Sequence, residues 1–257
     1  EKGEIDLAQL EELLKKNPKS LVSLMQGNNE IGNLNDLERI GQMTQAHGAF
    51  FHSDTVQTMG HYSHDLSTLP VDALVAGAHK FHGPKGVGFL YVRKDKKIHP
   101  FIHGGAQERN MRGGTENVIG IIGLAKALEI SLEELAAHRR HIEKLKGYFI
   151  EKLGQEISGI AFNGCSADLQ KSLYTVLSVS LPPSEANRGM LLFHLDLEGI
   201  SASGGSACSS GASVGSHVMR ALQHPADRDV VRFSFSRFTT MEEIDYTLEK
   251  LKTLYIH

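Results

Sequence analysis

Cysteine is scarce: two in 257 residues, Cys165 and Cys208. Two thiols in a chain of this size make no disulfide framework, so a reducing compartment is expected. A basic excess is missing too. With 27 Lys and Arg against 30 Asp and Glu, the formal charge is -3. Nothing there holds a phosphate backbone, which excludes nucleic acid as an expected partner. No apolar run approaches the roughly 20 residues that cross a bilayer. The opening Glu1 to Asp6 is charged, unlike a signal peptide. A cytoplasmic protein without a membrane association is the expectation. Repeats and low-complexity tracts are also absent. What remains is 40% apolar and 22% charged, the balance of a globular protein with one large domain, or one large and one small.

Histidine is plentiful at 14 residues, with close pairs at His61/His64, His79/His82, His99/His103 and His138/His141. None lies in a His-Glu-x-x-His pattern, and a zinc site would need a third ligand at a compatible place. Ordinary surface and core histidines, and no metal, are expected. Cys165 lies in the turn-like Asn163-Gly164-Cys165-Ser166, where a structural or neutral role is expected.

The first half alternates short helices with short apolar strands. Asp6 and Gln9 make a capping pair before Leu7, Leu10, Leu13 and Leu14, which predicts a helix over 7–16. Asn35 with Glu38 predicts a second, ending at Gly48. Residues 21–25, 49–53, 73–77 and 87–92 read as strands. Strands separated by helical crossovers imply a largely parallel sheet in an α/β domain. From Val118 the pattern turns to one long helix with an apolar stripe of Leu132, Leu135, Ile142, Leu145 and Phe149, ending near Gly154. Ser131 and Glu134 could form a capping box within it. Strands at 175–181 and 230–235 and a closing helix at 242–254 complete a smaller α+β domain. The expected division is 1–135, a large domain, and 136–257, a small one.

In open parallel sheets, ligands bind beyond the carboxyl ends of the strands. After the first strand come Asn28, Asn29 and Glu30. After the second come Asp54 and Gln57, and after the third His79 and Lys80, leading into Gly83-Pro84-Lys85-Gly86. Amide, carboxylate, imidazole and amine therefore converge on one edge. Singly, each has a plain structural reading: Asp54 a helix cap, Asn28 and Asn29 turn formers, Lys80 a solvated charge. Together they match what pyridoxal phosphate (PLP) requires, a lysine for a Schiff base and a carboxylate facing the pyridine nitrogen.

Several stretches carry a resemblance. Ala78-His79-Lys80-Phe81-His82-Gly83-Pro84-Lys85-Gly86 resembles the lysine motif of fold-type I, class V aminotransferase-like enzymes. Asp54-Thr55-Val56-Gln57 resembles their Asp-x-x-Gln strand end, and Asn28-Asn29-Glu30-Ile31-Gly32 their Asn-Asn-Glu-x-Gly turn. Arg112-Gly113-Gly114-Thr115-Glu116-Asn117 and residues 232–240 look like two further signatures. Ser203-Gly204-Gly205-Ser206-Ala207-Cys208-Ser209-Ser210-Gly211 is similar to the thiol loop of cysteine desulfurases of the iron–sulfur-cluster type. The resemblance runs over essentially the whole chain, in the family's order.

It implies a PLP-dependent transferase of fold type I, with a large, mainly parallel domain and a smaller C-terminal α+β domain carrying the thiol loop. Lys80 would hold the cofactor and move protons at the substrate Cα. Asp54 would pair with the pyridine nitrogen, Gln57 with the phenolate oxygen and His79 with the phosphate. Asn29 would lie beside the phenolate oxygen and substrate, and Arg232 would fork onto the substrate carboxylate. Thr115 would reach the phosphate site of a second subunit, making a homodimer. Lys85 and Arg237 would be structural. Cys208, among small and polar neighbours, would take sulfur from L-cysteine as a persulfide, release alanine, and pass the sulfur to an acceptor such as an iron–sulfur scaffold.

Two departures stand out. Gly77 occupies the place where relatives commonly carry a phosphate-binding serine. The family's upstream segment, with a phosphate-cradling Gly-Thr turn and a ring-stacking histidine, is not in this sequence, so weak or absent activity is expected of the chain by itself. The alternatives are a selenocysteine lyase or aminotransferase of the same class, or a non-catalytic interaction protein on the same fold.

Overall fold

The computed structural model describes residues 2–184, 187, 189–204 and 216–255. Contacts divide the chain into two compact units. One comprises Asp6–Gln26 and Asp36–Leu135, the other Glu1–Ile5, Gly27–Asn35 and Ala136–His257.

The first unit is built on a four-stranded sheet in the order β1-β2-β3-β4. These strands are Leu21–Met25, Phe50–Asp54, Ala73–Gly77 and Gly88–Val92. β1–β2 and β2–β3 are parallel, with Met25 opposite Asp54 and Asp54 opposite Val75. β4 runs antiparallel to β3, so the sheet is mainly parallel, as expected, with its last strand reversed. Residues 78–87, the whole β3–β4 connection, fall short of the dozen or more that a parallel crossover needs. The β2–β3 connection is likewise made of turns, with no named helix.

Helix α1 is Leu7–Lys16, with the Asp6 carboxylate accepting from Ala8 and Gln9 N–H. Helix α2 is Leu37–Ala46, and its N-cap is Asp36 rather than Asn35. Asp36 Oδ1 accepts from Arg39 N–H at 3.0 Å, so the carboxylate one position on takes the capping role. Leu14, Leu37, Ile40, Phe51, Leu74 and Phe81 are almost wholly buried in the chain, each contributing about 1.5–3 kcal/mol of transfer free energy. The long helix predicted from Val118 is two helices, α3 Val118–Glu133 and α4 Leu135–Glu156, parted at Glu134. Ser131 forms no capping box: it is buried in the last turn of α3, its hydroxyl facing the Phe81 carbonyl.

The second unit holds most of α4 and an antiparallel sheet of β5 Ala161–Phe162, β6 Val176–Ser180 and β7 Val230–Ser234. Helices α5 Leu191–Leu197, α6 His217–Ala221 and α7 Met241–Tyr255 complete it. Every residue of β6 is buried, and Phe149 of α4 meets Phe233 edge-on at 5.1 Å between centroids. The Gly27–Asn35 segment is sewn onto this unit by backbone: Leu34 N–H donates to Lys171 O and Leu173 N–H to Gly32 O. Asn33 adds two bonds, donating to Lys2 O and accepting from the N–H of buried Cys165.

Candidate functional site

Because β2 and β3 are parallel neighbours, their carboxyl ends meet the same sheet edge, as the sequence predicts. Asp54 is the last residue of β2. It is exposed, and among the described residues its carboxylate engages the Val56 N–H, at 2.9 Å. Gln57 follows in a turn closed by Thr58 and Met59 N–H onto Thr55 O. Directly after β3, Ala78–Phe81 make a single 3-10 turn bearing His79 and Lys80.

That turn is fixed by its neighbours. Ala78 and Phe81 are buried at 0% and 1% exposure. His82 ends it in the left-handed conformation (φ 65°), and Gly83 N–H returns to Ala78 O at 2.8 Å. A Cβ on Gly83 would lie 2.9 Å from Ala78 Cβ and 3.0 Å from Ala78 O, so only glycine closes the turn this tightly. Lys80 is thus half-buried on a rigid base, with His79 exposed beside it. At Gly77, a Cβ would sit 3.3 Å from His79 Cε1. The imidazole occupies the space next to the missing side chain.

Sequence reasoning passed over a network at the same edge. Gln26, immediately after β1, accepts at Oε1 from Thr58 Oγ1 (2.5 Å) and from His64 Nε2 (2.7 Å). His61 Nε2 donates to the Lys80 carbonyl at 3.0 Å. Burial pulls the His64 imidazole below its usual pKa, which favours its neutral form. The signal was available: Gln26 comes at a strand end just as Asp54 and His79 do. Thr115 lies in the same unit, exposed, between the 3-10 turn Gln107–Asn110 and α3. The adjacent Gly114 N–H is held by Gln107 Oε1.

In the second unit, Asn29 and Arg232 come together. Arg232 is the central residue of β7, opposite Ser178. Its Nη1 donates to the Asn29 carbonyl at 2.6 Å. Burial draws the guanidinium below its usual range, and the charge of Glu30 opposes that shift. Glu30 is 2% exposed; the sequence places it after the first strand without assigning it a role. Arg237 lies over the Phe238 ring, 4.9 Å from its centroid. Cys208 lies outside the described residues. A groove of about 540 Å³ beside Phe149, Phe235 and Tyr246 contains none of the predicted site residues.

Comparison with known proteins follows the same lines. The family profile described as aminotransferase class-V matches residues 1–247. A cysteine desulfurase, IscS, of Dictyoglomus turgidum is 41% identical over 254 residues, covering 98% of this chain and 63% of the relative. The chain therefore spans less than two thirds of that relative's length. The solved structure of a NifS-like protein from Rickettsia africae superposes with a TM-score of 0.83 at 30% identity, covering 98% of this chain and 66% of that one. Another NifS-like protein gives 0.84 at 36% identity, over 98% and 65%. The shared architecture is the fold-type I transferase fold, and PLP is the cofactor of these relatives. The lysine turn, the carboxylate at the β2 end and the profile agree: this chain belongs to the class-V aminotransferase family.

Proposed function

We propose that the protein is a PLP-dependent cysteine desulfurase, converting L-cysteine to L-alanine and retaining the sulfur as a persulfide on Cys208. One observation carries the reading: the parallel β2–β3 register puts Asp54 and the His79–Lys80 turn at the same strand-end edge. The donor types fit the cofactor, with an amine, a carboxylate, an amide and an imidazole available there. When bound, PLP supplies an electron sink for charge released at the substrate Cα.

The residues divide the remaining work. Lys80 would hold the cofactor and then move the proton at the substrate Cα. Asp54, facing solvent with lone pairs to spare, would keep the pyridine nitrogen protonated. Gln57 would donate toward the phenolate oxygen, the role proposed for Asn29 as well. His79 would meet the phosphate; its ring takes up the room beside Gly77. Arg232, already fixed by the Asn29 carbonyl, presents its fork to the substrate carboxylate. The Cys208 thiolate attacks the substrate Sγ; the S–S bond forms as Cβ–S breaks, and alanine leaves with the electron pair and a proton.

The protein acts as a cytoplasmic homodimer that hands its sulfur to an acceptor such as an iron–sulfur scaffold. Ile119 and Ile122 near the start of α3 are 87% and 64% exposed. An apolar surface there, next to Thr115, suits a second copy. No helix of the described residues is long and apolar enough to cross a membrane.

The test is borohydride reduction of the full-length protein after incubation with PLP, followed by peptide mapping. The adduct is expected on Lys80. An adduct on another lysine instead, or none, would sink the reading. Cys208→Ser should retain that adduct and release no sulfide from L-cysteine; continued turnover would remove Cys208 from the mechanism.

A further inference from the structure

Glu30 is one of the few carboxylates buried in the described chain, at 2% exposure. A buried carboxylate is costly unless it is hydrogen-bonded or paired. The Ser216 hydroxyl donates to Glu30 Oε2, and Arg232 Nη1 donates to the carbonyl of Asn29, the residue before Glu30, where the Glu30 charge also favours the guanidinium cation. The segment around Glu30 is itself pinned: Asn28 Oδ1 accepts from the N–H groups of Glu30 and Ile31.

The identity of these partners matters more than their number. Ser216 is the first described residue after 205–215, the stretch that contains Cys208, and it caps α6 by accepting from Met219 N–H. On the other side of that stretch, Ser203 and Arg232 exchange backbone hydrogen bonds, Ser203 N–H to Arg232 O and Arg232 N–H to Ser203 O. The two flanks of the thiol-bearing stretch are therefore fastened to neighbouring residues: Arg232 upstream and Glu30 downstream.

We propose that Glu30 is a positioning residue that uses one buried carboxylate to fix both the downstream anchor of the Cys208 stretch, through Ser216, and the setting of Arg232. It touches neither substrate nor cofactor. The inference rests on the reading that Cys208 and Arg232 serve one reaction. It assigns a task to the third residue of the Asn28-Asn29-Glu30 turn.

The experiment is peptide-resolved alkylation of Cys165 and Cys208 by iodoacetamide in the full-length protein, comparing wild type with Glu30→Ala, Glu30→Gln and Ser216→Ala. Buried Cys165 is the internal control. Glu30→Ala and Ser216→Ala are expected to raise the Cys208 labelling rate about tenfold with Cys165 unchanged, the factor that loss of a hydrogen bond to a charged group carries. Glu30→Gln keeps an acceptor for the Ser216 hydroxyl and should return the rate to within about twofold of wild type. Unchanged Cys208 labelling in both alanine variants overturns the proposal. So does a joint rise at Cys165 and Cys208, which would make Glu30 a support of the fold alone. Labelling needs neither cofactor nor turnover, so failure of the desulfurase reading registers separately, in sulfide release.

Discussion

The two ends of the four-stranded sheet are built on opposite rules. At the amino end of β3, Asp72 is buried and saturated. It accepts from Phe51 N–H, pairs with Arg93 at 2.9 Å and lies 3.4 Å from Lys96. At the carboxyl end, Asp54 is exposed and held by one backbone N–H, with His79 exposed and Lys80 half-buried on the next strand end. One end has its polar capacity used up internally; the other keeps it turned outward. An acid that closes a structure and an acid that awaits a ligand are thus told apart by their partners, not by residue type.

The sharpest way to break this contrast is to exchange the expected losses. Asp54→Asn should lower turnover of L-cysteine by about 10²–10³-fold, the size of effect seen when one electrostatic stabiliser is removed from an active site. Its unfolding free energy should stay within about 0.5 kcal/mol of wild type. Asp72→Ala should do the reverse, costing about 2–4 kcal/mol in denaturant unfolding, because it strands the Phe51 N–H and removes the counter-charge of two cations. A large stability loss at Asp54 would erase the distinction.

A second contrast separates two lysines. Lys146 in α4 is fully buried, its Nζ donating to Ser172 Oγ and Leu173 O at 2.8 Å each. Burial holds it down to about 7, against the opposing charges of Asp168 and Glu143. A depressed lysine is often read as a functional one; this one lies in the second unit, engaged with two structural acceptors, while the proposed cofactor lysine sits on a strand-end turn. Between about pH 7 and the ordinary lysine value near 10.5, the unfolded chain binds a proton that the folded chain does not. Stability relative to Lys146→Met should therefore rise with pH across that window, by up to about 1.4 kcal/mol per unit, and be flat below it. Paired urea melts at pH 7 and 9 would measure this. A falling difference would contradict a buried neutral amine.

The smallest effect sharpens a cap. Asp36→Ala should cost about 1 kcal/mol in thermal unfolding and Asn35→Ala less than half of that.

That cap also shows what a sequence hides. β1 to β4 were legible because short apolar runs bounded by turn residues have few other uses, and the strand-end rule found Asp54, His79 and Lys80 without reference to any relative. Asn35 and Asp36 both cap well, and only the position of the first helical turn selects between them. The break at Glu134 had only the Ser131/Glu134 pair to mark it, and the apolar periodicity that continues across it hid the separation. Lys146 was readable in hindsight: Ile142, Leu145 and Phe149 place it on the buried face of α4, so the stripe that defined the helix also enclosed a charge. Glu30 was found by the same strand-end rule but its task was not, since its partners lie far along the chain and pairing at a distance has no local period.

The same distance has a consequence for how the chain is made and divided. Asn33 and the Cys165 N–H that it accepts are 132 residues apart. At roughly 5–20 residues per second, synthesis takes on the order of ten seconds to supply that partner. Until then Gly27–Asn35 must wait as an unclaimed loop between elements of the other unit. Dissection between residues 135 and 136 would strand the loop permanently, because Asn29, Glu30 and Asn33 would leave with the wrong fragment. The second unit is compact in space yet cannot be excised as one continuous stretch.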